Sequence, residues 1–203
     1  MLSVNNYSPT SNINFTGISK KADYHRVACP MCQEQREEYK VDIEKNAKKV
    51  ATRAAKEQER AQKMYERTFK IIEKERNDEF YDNLVGKNSI IVFKDDYDSD
   101  LTLMSEIGED GLIKRVTAFD RSFIPEEIKS ITEYDNGMRT TAKFSNAQLD
   151  AIEKTTMRSP HYNREVSMFN NGILTSYFLT QGSHQIHMEY DIKTGEMVKG
   201  SAI

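Results

Sequence analysis

Apolar positions change their spacing twice along the chain, and each change marks a boundary. Residues 1 to about 22 are rich in Ser, Asn and Thr and carry no period, with "INFTGI" as the one apolar cluster. From Pro30 to Gly86 neither Pro nor Gly intervenes. There Ile43, Ala47, Val50, Ala54, Ala61, Tyr65, Phe69, Ile72, Phe80 and Leu84 advance by three, four or sums of those steps. That spacing places them on one stripe of an α-helix. Ala, Glu, Lys, Arg and Gln around them lose little side-chain entropy in a helix. A helix of about 50 residues is about 75 Å long, so part of it must project or meet a partner helix. The Ala-rich first half permits close helix approach, and the aromatic second half suits packing on the region that follows.

After Gly86 the pattern alternates. "SIIVF" opens it, and polar turns recur as "GEDGL", "YDNGM", "FNNGI" and "IKTGE". Asp110-Gly111, Asn136-Gly137 and Asn171-Gly172 favour the positive φ of tight hairpins, and Thr194-Gly195 is a weaker relative. "SITEYDNGMRTTAKF" and "EVSMFNNGILTSYFL" share a shape: an alternating strand ending in an aromatic, a turn with Asn-Gly, and a returning strand. "SNAQLDAIEKTTM" interrupts the alternation. Ser145 stands three before Gln148, a capping-box spacing, and Leu149 and Ile152 share a helical side, which predicts a short helix ended by Pro160. The expectation is an α+β protein in three parts. Residues 1–28 form a polar disordered arm, 29–85 one long amphipathic helix with coiled-coil character, and 87–203 an antiparallel β-meander of hairpin repeats with one short inserted helix.

Composition sharpens this. The chain has 203 residues, 30% charged and 37% hydrophobic, without Trp, which is polar for a compact globule. The net charge of −3 argues against nucleic-acid binding driven by bulk charge. A basic row runs along the helix through Lys45, Lys49, Arg53, Lys56, Arg60, Lys63, Arg67, Lys70 and Lys74. Its candidate contact residues for an acidic partner are Lys49, Arg53, Lys56 and Arg60. Residues 33–82 hold equal numbers of basic and acidic side chains, so a solvated face is the expected reading. No run of apolar residues is long enough for a membrane span. The N-terminal residues lack the pattern of a signal peptide, so the expected location is cytoplasmic.

Cys29 and Cys32, the only cysteines, lie in "ACPMCQ". Pro30 suits the first helical position, placing both sulfurs at the positive end of the helix, where a thiolate is stabilised. His25, Cys29 and Cys32 could supply three zinc ligands, or two chains could pool four thiolates. The motif is similar to the C-P-x-C of glutaredoxin-like proteins, though no strand precedes it. It also resembles the zinc hook of coiled-coil repair ATPases, though no matching helix precedes it. Asp96, Asp98 and Asp100 begin like a calcium loop, but Leu101 and Ile107 stand where Gly and Glu are needed. His184 and His187 are three apart on a predicted strand, which sends their side chains to opposite faces. No nucleophile elbow, phosphate-binding Gly loop or paired-carboxylate context is present.

The Tyr-Asp-Asn-Gly hairpin units at residues 100–200 resemble the β-hairpin repeats of bacterial MORN-like proteins. The resemblance implies scaffolding or binding through a sheet surface rather than catalysis. Together these features predict a non-enzymatic interaction protein without a cofactor. It would self-associate through Ile43, Val50, Ala54 and Ala61 and present a β-domain to a partner. A zinc or thiol-redox protein acting through Cys29 and Cys32, within one chain or across a dimer, is the alternative.

Overall fold

The computed structural model describes residues 30–77, 79, 84–85, 89–96, 98–156, 163–182 and 184–202, with side chains from Lys45 onward except those of His184 and Ala202. Two units divide the chain, residues 1–44 and 45–203. In the first, the described backbone from Pro30 to Glu44 is helical.

Helix α1 runs Pro30–Arg76. The N–H groups of Asn77 and Glu79 close its last turn on the carbonyls of Glu73 and Lys74 at 3.2 and 2.8 Å. Lys74 and Arg76 there complement the dipole. The helix therefore stops nine residues before the expected end at residue 85. Asn and Asp favour local backbone bonds over helix, and "NDE" supplies that break. Leu84, expected on the helical stripe, lies in the following loop, where its carbonyl accepts from Arg67 Nε at 2.8 Å.

Ten strands follow: β1 Ile90–Asp96, β2 Leu101–Ile107, β3 Ile113–Asp120, β4 Glu127–Asp135, β5 Met138–Ser145, β6 Gln148–Thr156, β7 Asn163–Asn170, β8 Ile173–Gln181, β9 His184–Tyr190 and β10 Met197–Ala202. They form one antiparallel sheet in sequence order, a pure meander. The Asn-Gly turns behave as their chemistry requires. Asn136 and Gly137 take φ of 48° and 78°, and Asn171 and Gly172 take 49° and 78°.

The predicted helix at "SNAQLDAIEKTTM" is a correction. This segment is a hairpin turn and strand β6. Asn146 and Ala147 both adopt left-handed backbone, φ 50° and 62°, doing what Asn-Gly does elsewhere. The β5–β6 register slips by one residue: Phe144 faces Leu149, while Lys143 faces Ala151, leaving Asp150 as a bulge. A bulge puts residues three apart on the same face. Leu149 and Ile152 are both buried that way, and the spacing imitates a helical period.

The bulge recurs. In β3–β4 Phe119 faces Ile128 and Lys129 is skipped. In β7–β8 Phe169 faces Leu174 and Thr175 is skipped. In β9–β10 Tyr190 faces Met197 and Val198 is skipped. Phe119, Phe144 and Phe169 thus recur every 25 residues, each opposite an aliphatic partner one bulge before the next inward residue, Ile131, Ile152 or Tyr177. The real repeat is this bulged hairpin. The two segments matched in sequence turn at opposite ends of the sheet, and their aligned aromatics differ in role: Tyr134 is exposed and Phe169 buried.

One face of the sheet packs on α1. Residues paired across a ladder share a face. The row Phe93–Met104–Thr117–Ile131–Ala142–Ile152–Ser167–Tyr177–Met188–Gly200 crosses all ten strands on the helix side. Met104, Thr117 and Ile131 on it are fully buried. The helix lies across the strands. The Tyr190 hydroxyl of β9 donates to the Ala47 carbonyl at 3.2 Å, while Arg67 meets Glu106 of β2 at 3.1 Å. From Ala47 to Arg67 is about 30 Å of helix. Seven strand spacings make about 34 Å, so the two lengths match.

Candidate functional site

The helix stripe and its basic row come first, because the sheet uses both. Ala47, Ala54 and Ala61 are 3%, 2% and 1% exposed and belong to the core shared with the sheet. Their small side chains let the helix backbone approach the sheet closely enough for a tyrosine hydroxyl to reach a helix carbonyl. Val50 is partly buried against the same core. The expectation that the Ala-rich turns meet a second helix is therefore corrected at Ala54 and Ala61, which face the protein's own sheet. Ile43 lies on the helix where only the backbone is described.

The basic row divides in two. Arg53 ion-pairs Glu165 and donates to the Tyr177 hydroxyl at 3.0 Å. Arg60 meets Glu133 at 2.8 Å. From there the chain of charges continues through Arg115, 2.7 Å from both Glu133 and Glu106, to Arg67. Burial works against the Arg115 charge, but Glu106 and Glu133 outweigh it and raise its pKa above the ordinary value. Lys154 pairs Glu57 in the same seam. Arginine suits this work because its planar fork spans two carboxylates while it stays charged. Lys49 and Lys56, in contrast, are exposed and make no ion pair among the described residues. So Arg53 and Arg60 reach sheet carboxylates from the exposed edge of the helix, while Lys49 and Lys56 are exposed without such a partner among the described residues.

The sheet's other face is built differently. Offset by one residue from the buried row runs Val92–Ser105–Val116–Thr132–Thr141–Glu153–Val166–Phe178–His187–Ser201. None of these ten is fully buried, and no helix or second sheet among the described residues covers them. Val92, Met168 and Phe178 are 43%, 45% and 38% exposed. The centre is polar: the Thr132 and Thr141 hydroxyls share a hydrogen bond of 3.0 Å. Glu153 accepts from Arg164 Nε at 2.9 Å, with Lys143 at 3.9 Å. The Arg164 hydrogen bond is the main reason the Glu153 carboxyl titrates below its usual range. Toward β9 the Phe178 ring and the His187 imidazole stack with centroids 4.2 Å apart and planes 7° apart. Glu189 lies 3.7 Å from His187 and 3.5 Å from Lys199. Toward β1 the surface is aliphatic, with Ile90, Leu103, Ile107, Ile113 and Val116. One face therefore offers an aliphatic corner, a hydroxyl and charge centre, and an aromatic platform.

A concavity of about 450 Å³ lies between α1 and the turns after β3 and β5. Tyr65, Phe69, Phe123 and Ile124 give it apolar walls, and Glu127 and Asn146 close one side. Glu127 is already occupied by Lys129 at 2.6 Å and the Asn146 N–H at 3.0 Å. Neither concavity nor open face gathers a nucleophile, a base and an orienting group within hydrogen-bond reach.

His25, Cys29 and His161 lie outside the described residues, and Cys32 lies on α1 where only the backbone is described. Among the described residues no group of three or more His, Cys, Asp or Glu is placed to hold a metal ion. Asp96 acts locally: its carboxylate accepts from the Ser99 hydroxyl at 2.6 Å and the Asp98 N–H at 3.3 Å, forming the β1–β2 turn. His187 faces away from the helix, one residue out of phase with the buried Met188. No helix among the described residues is long and apolar enough to cross a membrane. Sequence reading missed Glu153, Val166, Phe178 and His187 as one surface. The signal was present as polar–apolar alternation within each strand, but the row forms only once all nine registers are set.

No family model matches the chain, and neither a curated protein nor a solved structure matches it.

Proposed function

We infer that this is a non-enzymatic interaction protein whose binding surface is the sheet face opposite α1. The observation that carries this reading is the row from Val92 to Ser201: ten contiguous positions with accessible side chains, beside a helix-side row that is buried from Met104 to Met188. A single-layer sheet of ordinary type buries one face and solvates the other with charged and polar groups. This one instead exposes Val92, Met168 and Phe178 among Ser and Thr, a mixture suited to a protein contact with an apolar centre and hydrogen-bonding surroundings. The resemblance of the hairpins to MORN-like repeats points the same way. α1 then acts as the spine that holds ten strands in register, and self-association through the helix would use positions other than Ala54 and Ala61.

Site-specific photo-crosslinking in cells tests this, with a benzophenone amino acid at Phe178 on the open face and at Lys56 on the solvent side of α1. Partner adducts from position 178 that are absent from 56, and lost in a Val166→Asp variant with unchanged thermal stability, are expected. Adducts from position 56 alone would move the binding surface to the helix and overturn the reading.

A further inference from the structure

The two edges of the sheet differ. β10 is guarded: Val198 bulges out of its ladder, and Lys199 and Gly200 follow. Such features discourage another strand from pairing. β1 has no bulge, and its charged residues, Lys94, Asp95 and Asp96, are confined to its C-terminal half. All seven residues from Ile90 to Asp96 pair with β2 without a register shift, and the strand holds no Pro and no Gly. Among the described residues no strand pairs with its outer edge, which presents a regular row of backbone donors and acceptors beside exposed Ile90 and Val92.

We propose that β1 is a pairing edge and that its occupant is β1 of a second copy of this chain, antiparallel about a two-fold axis at Val92. Side-chain chemistry selects the copy and the register. With Val92 opposite Val92 of the second copy, Ile91 meets Phe93 twice on the helix side. On the open side, Ile90 meets the aliphatic stem of Lys94 twice. Ser89 falls opposite Asp95. Moving the axis to Phe93 would set Ile91 against Asp95 and Ile90 against Asp96, burying aliphatic groups against carboxylates. With the axis at Val92, Asp96 and its counterpart lie eight rungs apart, about 26 Å, so the two acidic turns do not repel.

An axis perpendicular to the sheet keeps both helices on one side. The aliphatic corner of Ile90, Leu103, Ile107, Ile113 and Val116 then continues across the axis into its copy, doubling a patch that otherwise ends at the edge. The proposal is independent of what occupies the rest of the open face.

The test uses the full chain with Cys29 and Cys32 changed to Ser. Light scattering across a concentration series should give a dimer, and Val92→Lys should weaken it at least tenfold with an unchanged circular dichroism spectrum and, at concentrations where both chains are monomers, an unchanged melting point. Single cysteines fix the register: Val92→Cys should form an intermolecular disulfide on oxidation, whereas Lys94→Cys, displaced from its counterpart by four rungs, should not. A monomer at the highest concentration reached overturns the proposal. So does a dimer that is indifferent to Val92→Lys, and a disulfide from Lys94→Cys in preference to Val92→Cys refutes the register.

Discussion

Ala61→Leu separates two roles for the alanine stripe by sign. At 1% exposure, Ala61 sits between α1 and the sheet with no room for a longer side chain. Leucine adds three carbons, worth about 2.4 kcal/mol if they could be buried without strain. In a close-packed interior they cannot. Overpacking costs typically 1–3 kcal/mol, and here either the helix lifts from the sheet or neighbours leave their rotamers. Lifting would also stretch the Arg60–Glu133 and Arg67–Glu106 pairs on the adjoining turns. A loss of about 2 kcal/mol in a unit of this size lowers the melting temperature by about 4–8 °C. Thermal melts by circular dichroism at two protein concentrations provide the assay. A melting point that falls equally at both is expected. A melting point that rises, and rises further with concentration, would mean the stripe is a seam between helices, where leucine adds buried area, and would refute the reasoning.

Three more outcomes follow from the core and its tyrosines. Phe169→Ala removes one of the recurrent aromatics opposite a bulge and should destabilise by about 3–5 kcal/mol in urea titration, with Phe144→Ala similar because it also loses the 5.0 Å contact with Tyr65. Thr117→Val should be neutral or stabilising by about 1 kcal/mol in the same titration, because the buried Thr117 hydroxyl has no hydrogen-bond partner. Burial, reinforced by Glu165 and opposed by Arg53, pushes the Tyr177 phenol up to about 12, and burial does the same for Tyr190. Both are neutral in folded and unfolded chains below pH 10. Above it the unfolded chain ionises first, so stability should fall between about pH 10 and 12, with phenolate absorbance at Tyr177 and Tyr190 lagging the other tyrosines.

How far the fold was legible depends on which signals are local. Helix α1 and the Asn-Gly turns rest on neighbouring residues alone, and both stand where the sequence placed them apart from the helix C-terminus. β6 was misread because a bulge at Asp150 gives Leu149 and Ile152 a helical spacing, and because Ala147 takes a backbone conformation ordinarily left to glycine. Nothing within "SNAQLDAIEKTTM" distinguishes that bulge from a helical turn. The 25-residue repeat was visible only in part, since the turn dipeptides draw the eye to the wrong ends of the hairpins. Arg53, Arg60 and Arg67 stood out as a row, but their carboxylate partners lie 112, 73 and 39 residues away. The open face could not be assembled from sequence for the same reason.

Native-state cysteine labelling tests the central claim, that α1 covers one face of the sheet and leaves the other accessible. In a chain with Cys29 and Cys32 replaced by Ser, Met168→Cys should react with a small alkylating reagent nearly as fast as the unfolded chain, and Ala61→Cys only as fast as the protein unfolds. A fast reaction at Ala61→Cys together with protection at Met168→Cys would contradict the account.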